Sequence, residues 1–411
     1  MEKLNNVKEL LKKYNQEHLL KYYEELTDEQ KEELLSQILN IDFEQINKLY
    51  EKTKHEIEIP KAELKPIDYV DKLKLSKQEY EHYENIGINS IKNGEYGVCI
   101  MAGGQGTRLG HNAPKGTFKL GINPDKTLFE ILIDEMKRAN ENYQVTIPCY
   151  IMTSRENVAD TIKYFEQNNY LNYGKENIKF FVQGELPMLL DDGKIIMENE
   201  YSIKEAADGH GGVFESLYKN NMLADMQEKG IKWLFIGGVD NVLLKMVDPL
   251  LLGLSIENKT LIAGKSVVKA CPEERVGVFC IKNNKPSVIE YTEISKELSE
   301  MRDNNGELAY GESHILCNLF SIEILNQISK EKLPYHIAHK KSNYFENGQV
   351  IIANEPNAYK FESFIFDAFE KAEKMSILRV KREEEFAPVK NAEGVDSPET
   401  ARKLYNEFWN K

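Results

Sequence analysis

The sequence predicts an α/β protein with a mainly parallel β-sheet covered by helices on both faces. Short apolar runs of strand type alternate along the chain with longer stretches of helical periodicity, an order that is typical of parallel sheets with helical crossovers. One run, residues 96–101, leads directly into a glycine-rich turn, as expected of a buried strand that ends at a ligand loop. With 411 residues, the chain is long enough for a large core.

The elements of this fold can be assigned in chain order. Residues 1–83 are expected to form polar helices, because Leu and Ile recur at helical spacing and capping-box motifs occur at 27–30 and 76–79. Strands are then expected at 96–101, 147–152, 179–183, 231–239 and 260–268, and helices at 128–137 and 213–228.

Two further elements are predicted towards the end of the chain. A hairpin is expected where residues 277–281 and 287–291 flank the turn at Asn283 and Asn284. Apolar residues at i, i+3, i+4 and i+7 from Phe361 to Ala372 predict an amphipathic helix. We therefore divide the chain into an N-terminal helical section (1–85), a central α/β core (86–335) and a C-terminal region (336–411).

Composition excludes several classes of function. The formal net charge is −14, from 53 basic and 67 acidic residues, which argues against a nucleic-acid or anionic-membrane surface. The five cysteines lack CxxC spacing, so neither a disulfide framework nor a zinc site is expected. The N-terminus resembles an amphipathic helix rather than a signal peptide, and no apolar stretch has the length of a membrane span, so we expect a cytoplasmic protein.

The glycine-rich turn, Met101-Ala-Gly-Gly-Gln-Gly-Thr-Arg-Leu-Gly110, carries the strongest functional signal. A dinucleotide fingerprint starting at Gly104 would need a third glycine at the position of Leu109, and no glycine–lysine pair stands in register for a Walker loop. What remains is a loop whose small residues let backbone N–H groups approach a phosphate or a base edge, with Arg108 and Lys115 placed to neutralise charge.

The loop and the following Pro114-Lys-Gly116 resemble the signature of the UDP-sugar pyrophosphorylases, most closely the eukaryotic-type UDP-N-acetylglucosamine enzymes. Further motifs recur in the order of that family over roughly positions 90 to 405. They are Met152-Thr-Ser154, Phe180-Phe-Val-Gln-Gly184 with Leu186-Pro187, Asp208-Gly-His-Gly-Gly212, Val239-Asp-Asn241, Val276-Gly-Val278, Ile289-Glu-Tyr-Thr-Glu-Ile294, Phe364-Ile-Phe-Asp367 and Glu385-Phe-Ala-Pro-Val-Lys-Asn391. The resemblance implies a Rossmann-like nucleotidyltransferase fold of the GT-A type, with a mixed, mostly parallel sheet.

It also implies a uridylyltransferase that joins a sugar 1-phosphate to UTP and releases pyrophosphate, with Mg²⁺ as cofactor. The resemblance assigns the functional residues to four groups. Nucleotide binding is assigned to Gly103, Gly104, Gln183 and Gly209, and catalysis to the cations Arg108, Lys115 and Lys390. Metal binding is assigned to Asp240, and sugar binding to His210, Gly277, Glu290 and His314. Independently of the resemblance, Asp240 follows an apolar run at the expected carboxyl edge of a strand, where open α/β sheets bind ligands.

Two departures from the family pattern concern the sugar. His210 stands where N-acetylhexosamine enzymes usually have asparagine, and the Gly-His-Gly form is more like UDP-glucose and broad UDP-sugar pyrophosphorylases. The sugar-contacting asparagine of the family normally follows a glycine, which Asn318 does not, so His314 is assigned to the sugar instead.

The sequence thus predicts a UTP-dependent enzyme for N-acetylglucosamine 1-phosphate or a related hexose 1-phosphate. A UTP–glucose-1-phosphate uridylyltransferase or a broad UDP-sugar pyrophosphorylase is the alternative. A non-catalytic protein that binds UDP-sugars for regulation is the alternative outside the enzymes, since a fold alone does not prove activity. UTP and the sugar 1-phosphate are the expected partners, without nucleic acid or membrane, and the chain is expected to be a monomer or a homodimer.

Overall fold

The computed structural model describes residues 2–54 and 63–409, which form two compact units. The larger unit comprises Ala62–Gln183, Val213–Lys332 and Ile365–Lys411, and the smaller comprises Met1–Lys61, Gly184–Gly212 and Leu333–Phe364. Each unit combines distant stretches of the chain. The three consecutive sections expected from the sequence are a different division and remain a prediction.

The helices and strands of the described residues are as follows. The α-helices are α1 (Glu2–Lys13), α2 (Asp28–Asn40), α3 (Phe43–Thr53), α4 (Lys77–Lys92), α5 (Leu128–Tyr143), α6 (Val158–Gln167), α7 (Val213–Lys219), α8 (Met222–Glu228), α9 (Pro249–Glu257), α10 (Lys296–Glu300), α11 (Ile322–Ile328), α12 (Arg382–Glu385) and α13 (Pro398–Trp409). The strands are β1 (Leu64–Pro66), β2 (Val70–Asp71), β3 (Tyr96–Met101), β4 (Cys149–Thr153), β5 (Ile178–Val182), β6 (Glu185–Pro187), β7 (Leu189–Leu190), β8 (Glu205–Ala207), β9 (Trp233–Gly238), β10 (Ile262–Val268), β11 (Val278–Lys282), β12 (Lys285–Ile289), β13 (Glu312–Ser321), β14 (His336–Lys340), β15 (Tyr344–Glu346), β16 (Gln349–Ile351), β17 (Ala358–Glu362) and β18 (Ser376–Arg379).

The larger unit is built on one mixed, mostly parallel sheet, which confirms the predicted α/β class. Its main path runs β2-β18-β10-β13-β9-β3-β4-β5. Strands β9, β3, β4 and β5 are parallel to one another, and so are β10, β18 and β2. Strand β13 lies antiparallel between β9 and β10. The hairpin β11–β12 joins the sheet through β13.

The sheet shares its buried core with α5 and α9. Residues of β3, β4 and β9, such as Ile100, Ile151 and Phe235, pack in one apolar cluster with Phe129 of α5 and Leu252 of α9. Burial of this apolar surface is the main favourable contribution to folding. The strands are buried almost throughout, as expected for parallel strands covered on both faces.

The smaller unit combines α1, α2 and α3 with three small antiparallel sheets. The sheets are β14-β17-β7, β15-β16 and β6-β8. Its core contains apolar residues from both parts, including Leu11, Leu34, Ile46, Leu189 and Phe361. This unit therefore has a hydrophobic core of its own.

Most predicted elements are confirmed. The strands and helices lie where expected within a few residues, except that the section expected to be helical also contains the short strands β1 and β2. Both capping boxes are formed, by Thr27 with Gln30 and by Ser76 with Glu79. The hairpin turn is formed by Asn283 and Asn284, whose φ angles of 51° and 62° suit the two-residue turns that match strand twist. Residues 1 and 55–62 of the predicted helical section lie outside the described residues.

Two predicted helices were wrong in detail. The stretch 213–228 is two helices, α7 and α8, because Asn221 takes a left-handed φ of 59° between them. Of the apolar residues from Phe361 to Ala372, Phe361 belongs to β17, and Ile365, Ala368 and Phe369 belong to a 3-10 helix, Ile365–Lys371, whereas Phe364 and Ala372 lie outside both elements. The unit boundary falls between these two elements. Their apolar side chains are therefore buried in different units, and the helical spacing across the boundary does not reflect one helix. No helix in the described part of the chain combines the length and apolarity needed to cross a membrane.

Candidate active site

Four neighbouring parallel strands end at the same edge of the larger unit's sheet, and candidate residues follow three of them. The residue after β3, Ala102, donates its N–H to the carbonyl of Met152 in β4 at 2.8 Å. Val239, after β9, donates to Met101 at 3.1 Å, and Gln183, after β5, donates to Thr153 at 2.8 Å. The sheet therefore brings Asp240, Gln183 and the glycine loop, which we define as residues 102–116, to one edge, where open α/β sheets bind ligands.

The glycine loop folds back on itself as a tight ribbon. The N–H of Gly106 donates to Ala113 O at 3.0 Å, and the N–H of Lys115 donates to Gly104 O at 3.1 Å. Gly110 has a φ of 70°, a left-handed conformation that favours glycine. The ribbon fixes the backbone of Lys115 beside the first glycines of the loop.

Gly103 and Gln183 are in direct contact. A Cβ atom at position 103 would lie 2.6 Å from Gln183 Oε1, whereas a Cβ at Gly104 would meet nothing within 4 Å. The amide of Gln183 therefore lies against the backbone of the loop, and the Cα of Gly104 faces open space. A glutamine amide can both donate and accept, as recognition of a nucleobase edge requires.

Asn157, which sequence analysis missed, holds this loop in place. It is fully buried at the start of α6, and its Nδ2 donates to the carbonyls of Ala102 at 3.0 Å and Gly104 at 3.3 Å. Its Oδ1 accepts from the N–H of Ser154 at 2.9 Å. The available signal was an asparagine three residues after the serine that ends the Met152-Thr-Ser154 motif, a spacing typical of turns closed by side chains.

Replacing Asn157 with alanine is expected to lower the free energy of unfolding by about 1–3 kcal/mol, because buried backbone groups of the loop lose their partners. Urea unfolding of the purified variant measures this. Asn168→Ala is a matched control, since the Asn168 amide also bonds a backbone carbonyl but is exposed. Equal losses for the two variants would contradict a special role for Asn157.

Lys115 and Asp240 form an ion pair at the sheet edge. Lys115 Nζ lies 3.3 Å from Asp240 Oδ2, and the two side chains are 17% and 24% exposed. Both side chains are thus mostly buried, which strengthens their electrostatic interaction relative to that of a surface pair. A cation from the glycine loop and a carboxylate from the central strand meet at one point.

A C-terminal strap, which we define as residues 385–390, lies against the backbone that follows β9. Val389 N donates to Asp240 O at 2.9 Å. Asn241 is buried; its Nδ2 donates to Glu385 O at 2.8 Å, and its Oδ1 accepts from Ala387 N at 2.9 Å. Lys390 directly follows Val389, the residue that is bonded to Asp240, so the strap places the backbone of Lys390 close to Asp240.

The side chain of Lys390 is half exposed beside Asp396. Its Nζ lies 3.9 Å from Asp396 Oδ2, and its N–H donates to Asp396 O at 2.7 Å. Burial raises the pKa of Asp396, the Lys390 ammonium opposes that shift, and the Asp240 carboxylate adds to it. Asp396 is therefore close enough to both Lys390 and Asp240 for their charges to act on its carboxyl group.

Arg108 lies in the 3-10 turn Thr107–Leu109 of the glycine loop and is exposed. The structure thus places it on the same loop as Gly103 and Gly104. Its side chain is not part of the Lys115–Asp240 pair.

Three predicted sugar-binding residues, Gly277, Glu290 and His314, lie together at the open end of the β11–β12 hairpin. A Cβ at Gly277 would lie 2.8 Å from Glu290 Oε1, so the carboxylate packs against that glycine. The N–H of His314 donates to Gly277 O at 2.9 Å. The absence of a side chain at position 277 makes room for Glu290.

His314 and Asn318 are in contact rather than alternatives. His314 Nε2 lies 3.2 Å from Asn318 Oδ1 on the same strand, β13. The imidazole ring is also enclosed edge-on by three phenylalanines, Phe279, Phe366 and Phe369, at centroid distances of 5.1–6.0 Å. Asn318 is fully buried.

Gly209 and His210 belong to the smaller unit. Gly209 has a φ of 88°, and a Cβ there would lie 2.3 Å from Ser363 O, so this position needs glycine for local packing. The His210 ring stacks on Phe364 with a centroid distance of 5.3 Å. Both residues thus have identifiable local contacts within that unit.

The described residues contain no group of three or more His, Cys, Asp or Glu side chains that could hold a metal ion by themselves. A metal ion held by a single protein carboxylate, such as Asp240, needs no such group. Mg²⁺ typically uses only one or two carboxylates together with substrate phosphates and water.

Comparison with known proteins identifies the family. Residues 39–396 match the family model of UTP–glucose-1-phosphate uridylyltransferase. UDP-N-acetylglucosamine diphosphorylase 2 of Arabidopsis thaliana is 37% identical over 418 residues, covering 96% of this chain and 82% of the relative. UDP-N-acetylglucosamine pyrophosphorylase of Saccharomyces cerevisiae is 36% identical over 427 residues, covering 98% and 89%.

A solved structure agrees with these sequence relationships. The crystal structure of the uridine diphosphate N-acetylglucosamine pyrophosphorylase from Trypanosoma brucei, in complex with an inhibitor, matches with a TM-score of 0.84 at 29% identity. The match covers 98% of this chain and 84% of that one. The resemblance inferred from the ordered motifs is confirmed, and the chain belongs to the UTP–glucose-1-phosphate uridylyltransferase family of nucleotidyltransferases.

Proposed function

We propose that this protein transfers the uridylyl group of UTP to N-acetylglucosamine 1-phosphate and releases pyrophosphate. One observation of the structure carries the proposal: Lys115 and Asp240 meet 3.3 Å apart at the sheet edge, on the loop and strand that the family signature marks. The names of the relatives support N-acetylglucosamine as the sugar.

In this reaction an oxygen of the sugar 1-phosphate attacks the α-phosphorus of UTP in line. The new O–P bond forms as the bond from the α-phosphorus to the β-phosphate oxygen breaks, and pyrophosphate leaves with that electron pair. Both substrates are anionic, so catalysis depends on their positioning and on cations at the oxygens that gain charge. The negative net charge of the chain makes such local cations essential.

We assign the uracil to the surface formed by Gly103, Gly104 and Gln183. The contact between Gly103 and the Gln183 amide supports this assignment, because it places an adaptable donor–acceptor group beside backbone that has no side chains. The open space at Gly104 leaves room for a planar base to approach the main chain. Gly209 is assigned to the nucleotide from the family motif alone.

We propose that Arg108, Lys115 and Lys390 bind the phosphate groups of the substrates and neutralise their charge. Lys115 and Arg108 stand on the glycine loop and would hold the triphosphate and the departing pyrophosphate. Lys390 would hold the α-phosphate or the sugar phosphate. Two of these cations already lie beside carboxylates, Lys115 beside Asp240 and Lys390 beside Asp396, so incoming phosphates would replace these partners.

The donor set at Asp240 fits a magnesium ion that is held mainly by substrate. Asp240 offers a partly exposed carboxylate at the end of a central strand, which is the small protein contribution that Mg²⁺ requires when phosphates and water complete its shell. Bound there, Mg²⁺ would neutralise phosphate charge. Without substrate, the ion pair with Lys115 holds this carboxylate towards the glycine loop.

The sugar is assigned to Gly277, Glu290 and His314, with His210 added from the family motif. Glu290 offers carboxylate oxygens that accept from sugar hydroxyls, and the nearby imidazole of His314 is held among aromatic rings. His210 keeps UDP-glucose synthesis as the alternative, because Gly-His-Gly is more like the glucose enzymes.

A panel of sugar 1-phosphates with UTP and Mg²⁺, scored by pyrophosphate release, tests the proposal. We expect kcat/KM for N-acetylglucosamine 1-phosphate to exceed that for glucose 1-phosphate by about 10- to 100-fold, the discrimination that one additional recognised group can supply. A preference for glucose 1-phosphate would favour the alternative enzyme. Equal reaction with ATP would contradict the uracil assignment, and UDP-sugar binding without pyrophosphate exchange would indicate a regulatory protein.

A further inference from the structure

A buried cluster of charges lies next to the C-terminal strap. Its centre is Lys265 of β10, which has no exposed surface. Lys265 Nζ lies 2.7 Å from Asp248 Oδ2 and 2.5 Å from Glu385 Oε2. Two more lysines approach the other oxygen of Glu385, Lys72 at 3.2 Å and Lys245 at 3.5 Å.

The carboxylates keep Lys265 charged inside the protein. Burial alone lowers a lysine pKa, but the nearby Asp248 and Glu385 carboxylates outweigh it and raise the pKa of Lys265 far above its usual value. Asp248 remains ionised for the converse reason, since burial is outweighed by Lys265 and Lys72. Two carboxylates and three ammonium groups thus form one connected ion-pair network.

Glu385 connects this cluster to the candidate active site. Its side chain is bound by Lys265, while its own carbonyl accepts the Nδ2 donor of Asn241 at 2.8 Å. Two residues later Ala387 bonds the same asparagine, and two residues after that Val389 bonds Asp240. The side chain and the backbone of one residue therefore link Lys265 to the segment that presents Lys390.

We propose that Lys265 is a positioning residue, and that its bond to Glu385 fixes the strap so that Lys390 is held correctly relative to Asp240. This inference rests on the proposed role of Lys390 in the reaction. Lys265 itself touches no reacting group.

Stability alone is a poor explanation for such an arrangement. Buried ion pairs recover little more than the cost of removing their charges from water, and apolar residues of similar size often replace them without loss of stability. Their directional bonds, in contrast, specify one geometry. In this protein that geometry is the path of the strap, and small displacements of catalytic groups are costly to turnover.

The test combines Lys265→Met with Lys390→Ala in a double-mutant cycle. Methionine has a similar unbranched shape, and its introduction leaves two lysines opposite two carboxylates. We expect Lys265→Met to lower kcat about 10- to 100-fold. KM for UTP should change little, since the glycine loop is untouched. In the Lys390→Ala background the same change should have almost no further effect on kcat, because residues that act through one another are not additive.

Arg379→Met is the matched control. Arg379 is also buried and ion-paired in the same sheet, but its bonds go to Glu307 and Glu312. Any effect of this variant on kcat should be additive with Lys390→Ala. If Lys265→Met fails to fold, Glu385→Gln, which keeps the size of the side chain and removes its charge, takes its place in the cycle.

The possible outcomes separate the two proposals. A large loss in Lys390→Ala, combined with an unchanged kcat in Lys265→Met or with full additivity, would overturn the positioning role and leave the proposed function intact. A normal kcat in Lys390→Ala would instead contradict the role assigned to that lysine. A non-additive loss confined to the Lys265 and Glu385 variants would support the inference.

Discussion

Asp240→Asn is expected to lower kcat for uridylyl transfer by about 10³-fold. The variant loses the carboxylate proposed to hold Mg²⁺, and weaker charge neutralisation at the reacting phosphates costs several kcal/mol. Asparagine keeps the shape of the side chain but removes the negative charge that faces Lys115. The backbone carbonyl of Asp240, which accepts from Val389 at 2.9 Å, is retained, so the strap should stay in place. Pyrophosphate release at saturating substrates measures the effect.

The matched control for this prediction is Asp225→Asn. Asp225 also pairs with lysines at a partly buried position, Lys179 at 2.5 Å and Lys229 at 2.9 Å, but it lies on α8. We expect both variants to unfold at similar urea concentrations and only Asp240→Asn to lose turnover. Near-normal turnover in Asp240→Asn would remove the basis of the metal assignment.

Lys390→Ala is expected to lower kcat by about 10²- to 10³-fold, the effect of deleting one preorganised group that stabilises transition-state charge. The fold should be little affected because the side chain is 48% exposed and its nearest carboxylate is 3.9 Å away. Exposed pairs of this type contribute little to stability. A single-turnover measurement of the chemical step distinguishes this effect from slow product release.

Lys381→Ala provides the comparison for Lys390→Ala. The Lys381 side chain is 45% exposed and lies 3.4 Å from Glu384, so it resembles Lys390 in exposure and pairing. It precedes α12, before the strap begins. Equal turnover in the two variants would mean that Lys390 acts only as a surface cation.

The fold could be predicted where an element carries a recognisable pattern in its own sequence. Buried strands such as β3 and β9 are continuous apolar runs, and their period and length identify them without knowledge of their partners. Strands β1 and β2 are short, and they form because β11 and β18, distant in sequence, pair with them. Such long-range pairing leaves no local pattern.

Strand β13 shows a second limit. It carries Glu312, His314 and Asn318 among its apolar residues, because some of its polar side chains have buried partners. Glu312, for example, bonds Arg379 and Ser266. A polar residue in a strand suggests exposure unless its partner is known, so the sequence alone did not reveal this strand.

The candidate site was predicted from motifs, and its supporting residues were not. Gly103, Lys115 and Asp240 stand in recognisable patterns next to strands, and the structure places them at one sheet edge. Asn157 and Lys265 act from inside the protein through hydrogen bonds to backbone or to buried carboxylates. These contacts depend on the packed fold, and a single asparagine or lysine in a sequence gives no sign of them.

Strand β18 is the parallel neighbour that separates β10 from β2. On that side β10 gains its hydrogen-bonding partner only when residues 376–379 join the sheet. A polypeptide that stops short of them would leave the backbone of the largely apolar Ile262–Val268 segment as an open edge, the type of surface on which chains pair with one another. Incomplete chains should therefore tend to self-associate through β10, so faulty synthesis would produce aggregates as well as missing enzyme.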